Sequence, residues 1–367
     1  MLTYYQPFIL PFLHPKRYVL PHGIFQKHFL SFEDALWTIL AAKNIPSGSV
    51  ILLPDFYCMD VVENIRRHGY TPVFYPLDDN FQILNTTFVT LIRRYRPQVI
   101  ILFHACGITN KVAKDIRYMR SLCEKALVIE DCVHRLINPS TMQLVHTNHI
   151  AIDSIRKVSP LYGSFMYSKF ALDETQMTNK QREYSYILFT HLLYTLFRMA
   201  FVLGVMFRSY RLVSYAHTRL LRFHDDLVGD STYGYKGKRR YKFLHRFINF
   251  SYIEKLKEKQ VALYASLLSS LYKKGSPWYE VGMPQSDKKY LHVYPLGFNP
   301  RSRFGTKEVE TLLQNNRIPV WFKFLDCPWS QMRSVMFLPL GFHVTNNDIK
   351  RVCSLLTQSH QSLTLNS

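Results

Sequence analysis

The sequence predicts an α/β protein built on a mainly parallel sheet, and three observations carry that reading. Short apolar runs alternate with segments of helical spacing from residue 31 to about 170. The runs have the length and apolar character of strands buried in a parallel sheet. Charged residues stand at the ends of two of them, where open α/β sheets hold ligands.

In chain order, "EDALWTILAAKN" has helical spacing, "SVILLP" reads as a strand, "VVENIRRHG" as a helix closed by glycine, and "TPVFYP" as a strand. "TFVTLIRRY" is helical, "QVIILFH" a strand and "AKDIRYMRSLCEK" helical, before the strand-like runs "ALVIE" and "HIAIDSI". Strands alternating with helices of this length predict a sheet covered on both faces. After residue 175 the character changes. Residues 182–271 favour helix and are broken near "GDSTYGYKGKRR", a polar cluster that reads as an exposed loop. From Tyr290 onward, "YLHVYPLGF", "IPVWFKF" and "SVMFLPLGF" read as short strands, and "TKEVETLLQNN" and "TNNDIKRVCSLLTQ" as helices. The expected division is a large α/β domain over 1–180, a helical interface segment over 181–275 and a small α+β domain over 276–367.

Composition narrows the function classes. The chain of 367 residues is 47% hydrophobic, a globular rather than a disordered balance. Its six cysteines form no CxxC pair, so reduced thiols and no metal site are expected. Pro7, Pro11, Pro15 and Pro21 interrupt the apolar stretch at the start, which argues against a signal peptide and for a cytoplasmic protein. The formal charge of +20 favours nucleic acid, an anionic membrane surface or acidic substrates. No nucleic-acid motif accompanies it, so sequence-specific nucleic-acid binding is not expected.

The stretch from Tyr184 to Phe207 is close to the roughly 20 residues that span a bilayer, but Arg198 and His191 lie inside it. It admits three readings. It is a helix buried between subunits or domains, a helix lying on an anionic membrane surface beside Arg208, Arg211, Arg219 and Arg222, or a spanning helix.

Asp131 follows "ALVIE" and Lys157 follows "HIAIDSI". A strand-end aspartate often caps a helix, and a lysine beside an arginine is often solvated surface. Together they also meet the two needs of pyridoxal phosphate: an amine for a Schiff base, and a carboxylate that keeps the ring nitrogen protonated.

The ordered segments "SFEDAL", "VILLPDFYC", "VIILFHACG", "LVIEDCVHRL" and "IDSIRKVSPLYGSF" resemble the DegT/DnrJ/EryC1/StrS aminotransferase family over roughly residues 25 to 170. A weaker echo follows in the C-terminal part. The resemblance implies a fold-type I pyridoxal-phosphate enzyme that moves an amino group from an amino-acid donor to a nucleotide-linked keto-sugar or similar carbonyl acceptor, working as a homodimer. It implies that Lys157 holds the cofactor and that Asp131 faces the ring nitrogen. His134 then faces the phenolic oxygen, Phe56 or Tyr57 stacks on the ring, His104 stands near the cofactor, and Ser31 and Ser154 reach the phosphate.

The chain departs from the family where the first helix begins. A small, glycine-containing sequence is usual there, holding the phosphate on backbone amides. Here Ser31, Phe32, Glu33 and Asp34 occupy the place, and Ser31 with Asp34 forms a capping box that needs no ligand. A degenerate family member acting as a binding or membrane-associated module is therefore the alternative reading.

Overall fold

The computed structural model describes residues 16–155, 163–172, parts of 192–220, 239–273, 276–299 and 306–365, excepting 317, 319, 321, 342 and 343. Seven strands form the large sheet: β1 (Phe25–Phe29), β2 (Val50–Pro54), β3 (Thr71–Tyr75), β4 (Val99–Phe103), β5 (Leu127–Cys132), β6 (His149–Asp153) and β7 (Ser164–Ser168). Their order is β1-β7-β6-β5-β4-β2-β3. β3, β2, β4, β5 and β6 run parallel, whereas β7 is antiparallel to β6 and β1 antiparallel to β7. The chain runs outward from β2 to β3 and then crosses back to β4. The C-terminal ends of β2 and β4 therefore flank a switch point, the place where such sheets hold ligands.

The parallel strands are those that the apolar runs predict. β1 and β7 escape that reading because they carry buried polar residues, Gln26 and His28 in one and Ser164 and Ser168 in the other, which dilute the apolar signal. The helices between the strands are α1 (Phe32–Ala42), α2 (Met59–Arg67), α3 (Asn85–Tyr95), α4 (Lys111–Lys114) and α5 (Ile116–Cys123). The single helix expected from "AKDIRYMRSLCEK" is thus two. Asp115 leaves helical geometry (φ −86, ψ 94), and its carboxylate accepts the Tyr118 N–H to start the second.

A three-stranded antiparallel sheet of β8 (Trp278–Glu280), β9 (Val293–Phe298) and β10 (Ser334–Pro339) makes the smaller C-terminal unit, in the order β10-β9-β8. The described residues of "IPVWFKF", which exclude 319 and 321, form no strand. Phe322 makes only an isolated bridge to Met336, and Phe324 turns to a positive φ of 52, which ends any extension. Further helices are α6 (Arg239–His245), α7 (Phe250–Leu268), α8 (Thr306–Asn315) and α9 (Asn346–Leu365), and described residues within 192–220 are also helical.

Helix α7 joins the two sheets. Its Phe250 and Ile253 pack with Cys132, Ala151, Phe165 and Tyr167 of the large sheet. One turn on, the buried Lys257 Nζ donates to the Leu291 carbonyl at 2.6 Å, and burial lowers its amine to about 7. Gln260 then holds the Gly341 and Val344 backbone of the small unit.

The backbone at 290–292 lies directly on the turn after β4, where the His292 N–H donates to the Cys106 and His134 carbonyls and the Leu136 N–H to Tyr290. Gly107 permits that approach. It has a φ of +102, and a Cβ there would stand 2.6 Å from the Leu291 Cα and 2.8 Å from two carbonyl oxygens. Gly107→Ala is accordingly expected to cost more than about 2 kcal/mol through strain and displaced backbone, read as a lower urea midpoint. An unchanged midpoint would show that the joint yields without cost.

Candidate active site

The β5 strand places Glu130 and Asp131 on opposite faces of the sheet. On one face, both oxygens of Glu130 are held by imidazoles: His149 Nε2 lies 2.6 Å from Oε1 and His104 Nε2 2.6 Å from Oε2. Each ring accepts a backbone N–H at Nδ1, from Asn110 at 3.2 Å for His104 and from Val145 at 3.1 Å for His149. The proton of each ring therefore sits on Nε2 and points at Glu130. Burial opposes the charge of Glu130, yet these bonds prevail and hold its carboxyl well below the usual carboxylate range. Cys132 comes close enough to complete a trio with His104 and Glu130, all within 4.8 Å. With both Nε2 atoms bearing protons toward Glu130, that trio is arranged as a hydrogen-bonded clamp rather than as ligands.

On the other face, Asp131 is buried, its Oδ2 accepting the Tyr57 hydroxyl at 2.6 Å and its Oδ1 the Val133 N–H at 2.9 Å. Burial, and then the Asp131 carboxylate, push the Tyr57 phenol well above its ordinary value, so it remains a donor. Phe103, directly across from Asp131 on β4, packs edge-on against Tyr57 at 5.3 Å. The His134 ring lies 4.9 Å from Phe103. Asp131, Tyr57 and His134 therefore gather on one side of the sheet.

His104 does not join them, whereas Phe56 is linked to them through Phe103 and Phe324. Phe56 turns into an aromatic cluster with Phe81, Phe103, Phe324 and Trp329. His104 bonds Glu130 on the far face, because the turn after β4 directs its ring across β5.

Ser31 caps α1 as expected. Its Oγ accepts the Asp34 N–H at 3.0 Å and its hydroxyl donates to Asp34 Oδ2 at 2.7 Å. Glu33, in the first turn, is buried, and Asn64 of α2 donates to its Oε1 at 2.6 Å. Burial, with Asp34 and Asp60 adding to it, raises the Glu33 carboxyl to about 7. Ser154 is buried at the start of the β6–β7 connection, two residues beyond Ile152, the partner of Asp131 across β5 and β6. Lys157 lies in that connection, outside the described residues.

Sequence reasoning missed the Glu130 clamp, although the acid ending "ALVIE" was a visible signal. It also missed Asn64, and it missed Lys323, whose ammonium is disfavoured by burial close to Cys58. Nothing in the spacing of "WFKF" singles out that lysine.

The fold is that of pyridoxal-phosphate-dependent aminotransferases of fold type I. A DegT/DnrJ/EryC1/StrS aminotransferase from Brucella abortus superposes with a TM-score of 0.58 at 13% identity, over 93% of this chain and 86% of that one. A putative sugar aminotransferase from Streptococcus pneumoniae in its PMP form gives 0.60 at 12% identity, over 92% and 88%. A UDP-N-acetyl-3-dehydro-alpha-D-glucosamine 3-aminotransferase from Acidithiobacillus ferrooxidans is 30% identical over 108 residues, 29% of this chain and only 28% of that protein's length. No family model matches the chain.

The residues fit the cofactor of that fold under one condition. Asp131, which the resemblance places at the ring nitrogen, is a buried carboxylate that accepts from Tyr57 and Val133. At the phosphate end, the α1 N-terminus offers backbone amides, but Glu33 stands among them. A charged Glu33 opposes a phosphate dianion, whereas its neutral form, favoured below about pH 7, does not.

Glu33 also couples folding to pH. Its folded value of about 7 lies above the ordinary value near 4.3, so the stability it contributes is fully present below about pH 4.3 and is lost as pH rises through about 7. Asp153, raised to about 7 by burial, acts in the same window. Glu33→Gln keeps an acceptor for Asn64 and is expected to exceed the wild type in stability by on the order of 3 kcal/mol at pH 8, with little gain at pH 4. Urea unfolding at the two pH values checks this, and equal gains at both would remove Glu33 from the pH response.

Proposed function

We propose that the protein is a pyridoxal-phosphate-dependent aminotransferase that moves an amino group from an amino-acid donor to a nucleotide-linked keto-sugar or similar carbonyl compound. The supporting observation is the buried Asp131, gripped by Tyr57 at a strand end of this fold, one strand away from the connection that carries Lys157. The bound cofactor would supply the electron-accepting ring. Asp131 keeps the proton on the ring nitrogen, because an adjacent carboxylate favours the charged form. Tyr57 fixes the direction of Asp131. His134 presents its ring beside the same face, and Lys157 Nζ holds the cofactor and carries a proton to and from the substrate carbon. Ser31, Ser154 and the α1 amides face the phosphate.

The homodimer and the cytoplasmic compartment expected from the sequence belong to the same reading. The net charge of +20 supports a peripheral position at an anionic membrane surface. A second reading, a module that keeps the fold without the chemistry, is favoured by Glu33 at the helix start and by the Phe324 and Trp329 rings packed beside Phe56.

The absorbance of the purified protein with added cofactor separates the two. A visible or near-ultraviolet band that borohydride fixes onto Lys157, and that Lys157→Ala abolishes, is the expected result. The same band persisting in Lys157→Ala would sink the assignment. Cofactor affinity is further expected to fall at least tenfold from pH 6 to pH 8, as Glu33 and the phosphate both ionise, and Glu33→Gln should flatten that fall. A wild-type titration independent of pH would mean that the phosphate sits away from Glu33.

A further inference from the structure

Leu192, Leu196, Met199, Leu203 and Phe207 follow one another at spacings of four, three, four and four residues, and each is between 44% and 75% exposed. That spacing aligns them along one helix face. The helix is real at this point: the Phe207 N–H donates to the Leu203 carbonyl at 2.9 Å. Its opposite side is the buried one, carrying Phe201 and Gly204. The apolar stripe therefore points away from the body of the protein over roughly 22 Å at 1.5 Å per residue.

Charge decides what covers it. No Asp or Glu occurs from Tyr184 to His224, while Arg198, Arg208, Arg211, Arg219 and Arg222 all fall within that stretch. Arg211 and Arg219 are exposed, and Arg219 lies over the half-exposed Tyr215 ring. A second copy laid on the stripe would bring this acid-free, arginine-bearing stretch against itself. Anionic headgroups meet them with opposite charge. Farther along, α6 exposes Phe243 and Leu244 within the basic run "KGKRRYKFLHR". Among the described residues no helix is long and apolar enough to cross a membrane.

We infer that the stripe Leu192, Leu196, Met199, Leu203 and Phe207 enters the interface of an anionic bilayer, with the exposed Arg211 and Arg219 on its headgroups. The inference rests on the peripheral position proposed above and names the face that makes it.

Vesicles of phosphatidylcholine alone, and with roughly a third phosphatidylglycerol, test it by co-sedimentation of the full chain. The wild type is expected to bind the anionic vesicles at least tenfold better than the neutral ones, and Leu196→Ser with Leu203→Ser to lose at least tenfold of that binding. Because both side chains are exposed, the variant should keep the wild-type thermal midpoint. As a second measurement, Phe207→Trp should shift its emission to the blue with anionic vesicles. Wild-type binding that the double variant retains, with no emission shift, would mean that charge alone holds the protein and overturns the stripe. No wild-type binding to either vesicle overturns the peripheral position itself. A mass that halves in the double variant while vesicle binding persists assigns the stripe to a second copy and overturns the inference.

Discussion

Much of the site's geometry depends on one carboxylate, Glu130, held between two imidazoles that come from different strands. His104 follows β4 and His149 opens β6, so the two bonds tie the strands on either side of β5 to its end. Buried ionic groups are costly unless they are fully paired, and here the pairing is complete on both carboxylate oxygens. Since neighbouring residues of a strand face opposite ways, fixing Glu130 on one side also fixes where Asp131 points on the other. The face that carries Asp131 is aimed by a network on the opposite one.

The second constraint lies at the start of α1. A helix N-terminus attracts anions, yet this one already contains the carboxyls of Glu33 and Asp34. Asp34 is absorbed by the Ser31 cap, and Glu33 by Asn64 and by burial. The same first turn thus serves helix initiation, packing against α2 and, in the proposed function, the phosphate end of a cofactor. These roles compete for the same few amides, and the proton on Glu33 decides the competition.

The parallel core of the fold was legible because its strands are uninterrupted apolar runs, as Val99–Phe103 illustrates. The antiparallel strands β1 and β7 were not, since Gln26, His28 and the two serines of β7 are buried by tertiary contacts that a local pattern cannot express. Of the candidate site, Asp131, Tyr57 and His134, the positions that the family resemblance singles out, lie on one side of the sheet. His104 turns to the far face toward Glu130, and the direction of Phe56 depends on the C-terminal aromatics. Partners more than two hundred residues away leave no periodic trace. The reversal of backbone direction at Phe324, which cancels a strand suggested by "IPVWFKF", is equally invisible to a pattern of side chains.

The packing of Phe324 and Trp329 against Phe56 and Phe81 also has a meaning for the chain as it leaves the ribosome. The loop after β2 is made early, but the rings that cover it are made about 270 residues later. During that interval Phe56 and Phe81 lack their native cover, the kind of exposed apolar surface that nascent chains hand to chaperones. All seven strands of the large sheet are therefore made before the rings that cover this loop.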